Sequence, residues 1–231
     1  ITPPTPENNR RIYENPRPFN WGFVILFDIE TAEPLALMHE YYLSGMRVGA
    51  TSGLCVDQVA PKDVKTLGLF GTGKQAGSAF DAINTVRDFE RVIVYSPNPE
   101  HREMFVTEKR KQWGDKVEVI MADTPDAPVK GADVICCCTT AMEPVFDGNL
   151  LEDGQLVVSI ANSDSTNKKR TEVDEATYAK ATNIIVNDWE SVIDNDQTEL
   201  LEPLDAGTIK RESIVELGDI IAGKETVKSG G

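Results

Sequence analysis

The chain has 231 residues, 40% of them hydrophobic, enough for one large or two small domains with a real core. Lys and Arg number 23 against 38 Asp and Glu; the net charge of -15 opposes contact with nucleic acid and with anionic membranes. No apolar run approaches the ~18 residues of a membrane-crossing helix. The start Ile1-Thr2-Pro3-Pro4 has neither the basic nor the apolar region of a signal peptide, so neither feature is expected.

Residues 1–20, rich in Pro, Asn and Arg, read as irregular. Phe23–Phe27 and Pro34–Met38 read as two strands of a hairpin turning over Asp28–Glu33. Glu40–Val59 reads as a helix. Its Gly45, Gly49 and Gly53, spaced four apart, share one face and permit close packing. Pro61-Lys62-Asp63 reads as a hinge or linker.

From Thr66 strands and helices alternate. Strand Leu67–Phe70 leads to helix Lys74–Val86, and strand Arg91–Tyr95 to helix Pro99–Trp113. Strand Val117–Met121 leads to a short helix near Pro125–Val129. Strands Asp133–Cys138 and Leu156–Ile160 follow, then helix Glu175–Ala181 and strand Ile184–Asn187. The strands are continuous apolar runs, as in a parallel sheet covered on both faces. Such alternation means βαβ units and an α/β, doubly wound sheet.

The first of these strands runs into Gly71-Thr72-Gly73-Lys74-Gln75-Ala76, a G-x-G-x-x-A turn opening a helix. A dinucleotide pyrophosphate site needs that order. Gly71 makes the tight turn, Gly73 leaves a phosphate unobstructed, and Ala76 lets helix and strand pack closely. The helix then points its N–H groups and positive end at the anion. The fold expected is a Rossmann doubly wound parallel sheet at residues 61–204. A second, smaller α+β domain is expected from both chain ends, 1–60 and the return segment 205–231, in which Ser213–Ala222 forms a helix or strand.

The second strand ends in Tyr95-Ser96-Pro97-Asn98, where an NAD site usually carries Asp or Glu for the ribose 2′-OH. Ser96 carries no charge, so a 2′-phosphate meets no repulsion there. Lys74, His101 or Arg102 could add positive charge. The cofactor expected is NAD or NADP, with a lean to NADP.

Cys55, Cys136, Cys137 and Cys138 are the only cysteines, and none forms a C-x-x-C. A zinc site is not expected; a reducing, cytoplasmic setting with buried thiols is. His39 and His101 are the only histidines. Two features suggest an incomplete chain, whether a processed product or an isolated fragment: it begins without Met, and it ends in Lys228-Ser229-Gly230-Gly231 just past an ordered-looking segment.

Several segments together resemble the ornithine cyclodeaminase/mu-crystallin family. They are Phe27-Asp28, Glu33–Met38, Met46-Arg47-Val48-Gly49-Ala50-Thr51-Ser52-Gly53, Leu67–Ala76, Val94-Tyr95-Ser96 with Pro99-Glu100-His101-Arg102, Gly131-Ala132-Asp133 before Thr139-Thr140, Glu143-Pro144-Val145, Leu200–Leu204 and Val215-Glu216-Leu217-Gly218. The resemblance implies that the smaller α+β domain built from both chain ends serves dimerisation and substrate binding, in a homodimeric enzyme moving a hydride between nicotinamide and the α-carbon of an amino acid or cyclic imino acid. The reaction would be a cyclodeaminase's or an imine reductase's or amino-acid dehydrogenase's. A non-catalytic NAD(P)-binding protein of the mu-crystallin kind, or a fragment, is the alternative.

The family's carboxylate-holding Arg matches Arg47, and a guanidinium fork suits that task. Its proton-moving Asp matches Asp164, and the following Lys matches Lys168, although Thr166–Arg170 departs from the family's P-G-K-x-E-L with one residue more. Thr139 and Thr140 fall near the nicotinamide ribose, and Ala161 just past the next strand lines the same edge. The family's substrate lysine would precede Ile1, and a further cofactor and substrate loop would follow Lys224. A site built from these residues alone is expected to be incomplete.

Overall fold

The computed structural model describes residues 22–161 and 169–227, so Asp164 and Lys168 lie outside the described residues. The chain forms two compact units, one ending at Arg47 and one beginning at Val48. In the first, β1 (Phe23–Phe27) pairs antiparallel with β2 (Pro34–His39). Asp28 sets the turn: its Oδ1 accepts from the N–H groups of Glu30 and Thr31 at 2.9 and 2.7 Å. Helix α1 (Glu40–Val59) starts in this unit and continues into the second.

The second unit holds a parallel sheet of β3 (Thr66–Phe70), β4 (Arg91–Tyr95), β5 (Glu118–Met121), β6 (Val134–Cys137) and β7 (Leu156–Ser159), in the order β5-β4-β3-β6-β7. The chain enters at the centre, winds outward to β5, then crosses back to β6. This is the doubly wound dinucleotide fold, and its direction reverses between β3 and β6. Every residue of β3 and β6 is buried, which is why these runs do not alternate in polarity.

Helix α2 (Lys74–Val86) buries Ala76, Ala79, Phe80 and Ile83, one stripe at helical spacing. Helix α3 (Pro99–Trp113) opens at Asn98, whose side chain accepts from the N–H groups of Glu100 and His101, with Pro99 at the first turn. The glycine face of α1 meets α2. A Cβ on Gly49 would stand 2.5 Å from the Ser78 backbone, and one on Gly53 3.0 Å from the Ala82 Cβ. The carboxyl end of α1 is closed by the buried Arg87, which donates to the carbonyls of Val56, Asp57 and Ala60 at 3.0, 2.7 and 3.1 Å. Arg87 also holds the Pro61 carbonyl at 3.2 Å, so the segment read as a hinge is anchored.

The helix expected near Pro125–Val129 is instead a run of turns. Pro125 and Pro128 have no N–H to give a helical ladder. The Pro128 carbonyl instead lies over β3, 1.8 Å from where a Cβ on Gly68 would stand. Beyond the sheet come α4 (Glu175–Lys180), β8 (Ile184–Val186), α5 (Trp189–Asp194), α6 (Thr198–Asp205), β9 (Ile214–Glu216) and α7 (Leu217–Ile221). β8 and β9 pair in parallel as a separate sheet, around a small core of Ile184, Val192, Leu200, Ile209 and Ile214. Among the described residues no helix is long and apolar enough to cross a membrane.

Candidate functional site

β3 delivers Gly71-Thr72-Gly73 to the carboxyl edge of the sheet. The Gly71 N–H donates to the Tyr95 carbonyl at 2.8 Å, and the Cys138 N–H to the Phe70 carbonyl at 2.8 Å. These bonds join the ends of β3, β4 and β6. Gly71 has φ +106°, and a Cβ there would stand 2.3 Å from the Cys138 oxygen. The protein itself therefore demands glycine at this position.

Gly73 is different. Its φ of -87° and ψ of -172° suit any residue, and among the described residues nothing lies within 4 Å of where its Cβ would be. The fold leaves this place open at the head of α2. That helix has no side-chain cap and no acidic residue in its first turn. A helix start of this kind offers N–H groups and the positive end of its dipole to an anion. Ala76 is fully buried against the sheet, and Thr72 and Lys74 are more open. Gln75 carries a buried side-chain oxygen with no partner among the described residues.

At the end of β4, Ser96 is buried and its carbonyl accepts from Arg102 Nη1 at 2.7 Å. Arg102 is buried rather than solvated. Its guanidinium lies 5.3 Å from the Tyr95 ring centroid, and its buried Nε has no partner. Pro97 is exposed, and the Asn98 side chain is engaged in capping α3.

At the ends of β6 and β7 the structure adds two carboxylates that sequence reading missed. Glu172 is fully buried. It accepts from Thr139 N–H and Oγ1 on one oxygen and from Ser159 Oγ and Ile160 N–H on the other. Glu199 accepts from the Glu172 and Val173 N–H groups, and its second oxygen lies 2.7 Å from Ser159 Oγ. Burial raises the Glu199 carboxyl above its ordinary range and the neighbouring Glu172 adds to this, outweighing the hydrogen bonds that stabilise its charge. Burial also pushes the Cys137 thiol well up, as expected of an inert interior cysteine.

Three further residues expected from sequence stand near this edge, namely Thr139, Thr140 and Ala161. Thr139 Cγ2 would lie 3.5 Å from a Cβ on Gly71. Thr140 is exposed beside it, and the Ala161 N–H lies 3.3 Å from Ser159 Oγ. Arg47 is exposed on α1 at the end of the first unit.

Residues 6–229 match the model of the ornithine cyclodeaminase/mu-crystallin family. Delta(1)-pyrroline-2-carboxylate reductase of Bacillus cereus is 35% identical over 205 residues, 88% of this chain and 61% of that protein. Iminosuccinate reductase of Paracoccus denitrificans is 29% identical over 202 residues, 87% and 60% of the two chains. Among solved structures, Thermococcus litoralis Delta(1)-pyrroline-2-carboxylate reductase in complex with NADH and L-proline aligns with a TM-score of 0.80 at 30% identity. That alignment covers 89% of this chain and 62% of the other. The Paracoccus denitrificans iminosuccinate reductase in complex with NAD+ aligns with a TM-score of 0.76 at 25% identity, over 88% and 60%. The chain spans less than two thirds of the length of these relatives. Sheet order, glycine turn and a match over nearly the whole sequence agree, and the chain belongs to the ornithine cyclodeaminase/mu-crystallin family.

Proposed function

We propose that this chain serves an NAD(P)-dependent enzyme that reduces the C=N bond of an imino acid at the carbon bearing the carboxylate. The observation that carries this reading is the open position at Gly73, over an uncapped helix start at the point where the sheet reverses direction. The fold does not need glycine there; a diphosphate lying against the backbone does. Relatives that act on pyrroline-2-carboxylate and on iminosuccinate support the substrate class, because both compounds carry a carboxylate on the imine carbon.

In this reading the backbone of Gly71–Ala76 holds the diphosphate, and Thr139, Thr140 and Ala161 line the nicotinamide end. Ser96, Pro97, Asn98 and Arg102 border the adenosine ribose. Ser96 presents no carboxylate to a 2′-phosphate and Arg102 is anchored against its carbonyl, so NADPH is proposed to bind at least as well as NADH. Arg47 fixes the substrate carboxylate, Lys168 takes part in binding the substrate, and Asp164 delivers the proton to nitrogen. When bound, the coenzyme supplies the hydride. The chain's residues orient both partners, and orientation of this kind is a large rate term. A homodimer, built through a domain formed by residues 1–60 and 205–231, is the proposed assembly.

The test is an assay of the purified protein with NADH or NADPH and a panel of cyclic and open-chain imino acids, following absorbance of the reduced nicotinamide. Turnover dependent on the carboxylate supports the reading. Tight coenzyme binding with no turnover on any imine, and no ammonia from L-ornithine with NAD+, would mark a binding protein instead.

A further inference from the structure

Ser159 Oγ lies 2.9 Å from Glu172 Oε2 and 2.7 Å from Glu199 Oε1. A hydroxyl has one hydrogen, so it donates to only one of these oxygens. The remaining short contact needs a proton from the other carboxyl.

Counting donors decides which one. Glu172 takes four, from Thr139 N–H, Thr139 Oγ1, Ser159 Oγ and Ile160 N–H, two on each oxygen. That fills the lone-pair sites of an ionised carboxylate and leaves no direction for a proton. Glu199 places Oε2 against the Glu172 and Val173 N–H groups, both donors, and Oε1 against Ser159 Oγ alone. A proton on Glu199 Oε1 completes the chain: Glu199 donates to Ser159, and Ser159 donates to Glu172. Ser159 Oγ then also accepts from the Ala161 N–H at 3.3 Å.

We propose that Glu172 and Glu199 hold a single proton, seated on Glu199 and relayed through Ser159, and that this pair positions Thr139 and Ile160 at the ends of β6 and β7. Glu172 and Glu199 are positioning residues; they act through the backbone and hydroxyl groups they hold. The consequence for coenzyme binding rests on the function proposed above; the placement of the proton does not. The other titratable groups influenced by this pair are Cys137, Cys138 and Tyr178; burial chiefly raises Cys137 and Tyr178, and the Cys136 contact with burial raises Cys138, so all three stay neutral near pH 7. Lys169 and Arg170 precede Glu172 in sequence, and Lys169 is ion-paired with Glu202, three residues beyond Glu199.

The two glutamates should answer differently to the same change. Glu199→Gln puts an NH2 where the proton sits and an oxygen where the two N–H groups point, so every bond survives. Glu172→Gln must turn an NH2 against groups that are themselves donors. With the full chain, infrared difference spectroscopy should show the carbonyl stretch of a protonated, buried carboxyl at neutral pH, present in the parent and lost in Glu199→Gln. NADH affinity and its pH profile are then measured by fluorescence titration. Glu199→Gln should stay within about threefold of the parent and flatten the loss of affinity at alkaline pH, whereas Glu172→Gln should lose about tenfold or more. A parent without the protonated-carboxyl band, or a band that survives Glu199→Gln, overturns the proton's placement. Equal losses in both variants overturn the positioning role. A parent that binds no NADH sinks the functional reading and leaves the infrared result to decide the proton.

Discussion

A Cβ on Gly71 would stand 2.3 Å from the carbonyl oxygen of Cys138, so the turn after β3 lies hard against the end of β6. These are the two strands between which the sheet reverses direction. The contact closes the floor of the edge where such folds bind ligands, and it fixes Thr139 beside the glycine turn. Gly71 serves the protein in this contact, whereas a Cβ on Gly73, two residues on, would find no atom of the described residues within 4 Å.

Gly71→Ala should therefore destabilise the folded chain. The left-handed backbone and the close carbonyl act together, and strain of this sort costs about 1–3 kcal/mol. Thermal or denaturant unfolding measures it, and stability equal to the parent's would contradict the contact.

Asp81 on α2 is the anchor for two groups of α3. Lys109 Nζ reaches its Oδ1 at 2.7 Å and the Trp113 indole N–H at 2.9 Å, and the Lys109 side chain is only 5% exposed. Asp81→Ala leaves a buried ammonium with Gln112 and two aromatic faces as company. A loss of about 1–3 kcal/mol in denaturant unfolding is expected, with a change in Trp113 fluorescence in the folded state.

Glu199 gives stability a definite pH dependence. Its folded carboxyl titrates above its ordinary range, while in the unfolded chain it titrates near ~4.3. Between those values the folded protein binds the extra proton, so stability is full below the unfolded value and falls as pH rises through the folded one. The difference between Glu199→Gln and the parent isolates this slope. Asp57 and Asp188, held low by hydrogen bonds from Arg87 and Ser191 respectively, act at the acid end in the opposite sense. A difference curve that is flat above pH ~4.3 would contradict the assignment.

Arg47→Ala should raise KM for carboxylate-bearing imines by about tenfold or more, the worth of a charge-assisted fork. Coenzyme affinity should stay as it was. Unaltered substrate kinetics would remove Arg47 from the site.

The fold was legible because its signals are local. Apolar runs gave the strands, the G-x-G-x-x-A turn gave the first crossover, and the glycine spacing in α1 gave a close helix contact later found against Ser78 and Ala82. Where signals are not local, reading stopped. Pro125 and Pro128 mark turns, and only the Pro128 carbonyl over Gly68 shows why they are there. Helix α5 has only 6 residues, too few for a periodic stripe to show, and α6 has 8 with Pro203 inside it. Glu172 and Glu199 look like surface acids in the sequence; they become interior groups through donors from residues 12 to 40 positions away. Arg102 is buried by stacking on Tyr95, a contact that helical spacing cannot foretell.

The central claim is that a nicotinamide dinucleotide lies with its diphosphate against the backbone at Gly73. Gly73→Val tests it most directly, because the open backbone there accepts valine without strain. Calorimetric titration with NADH and NADPH, run beside a thermal melt, should show an unchanged melt and an affinity lowered by about tenfold or more. Parent-like affinity in the folded variant, or no binding of either coenzyme by the folded parent, would contradict the account.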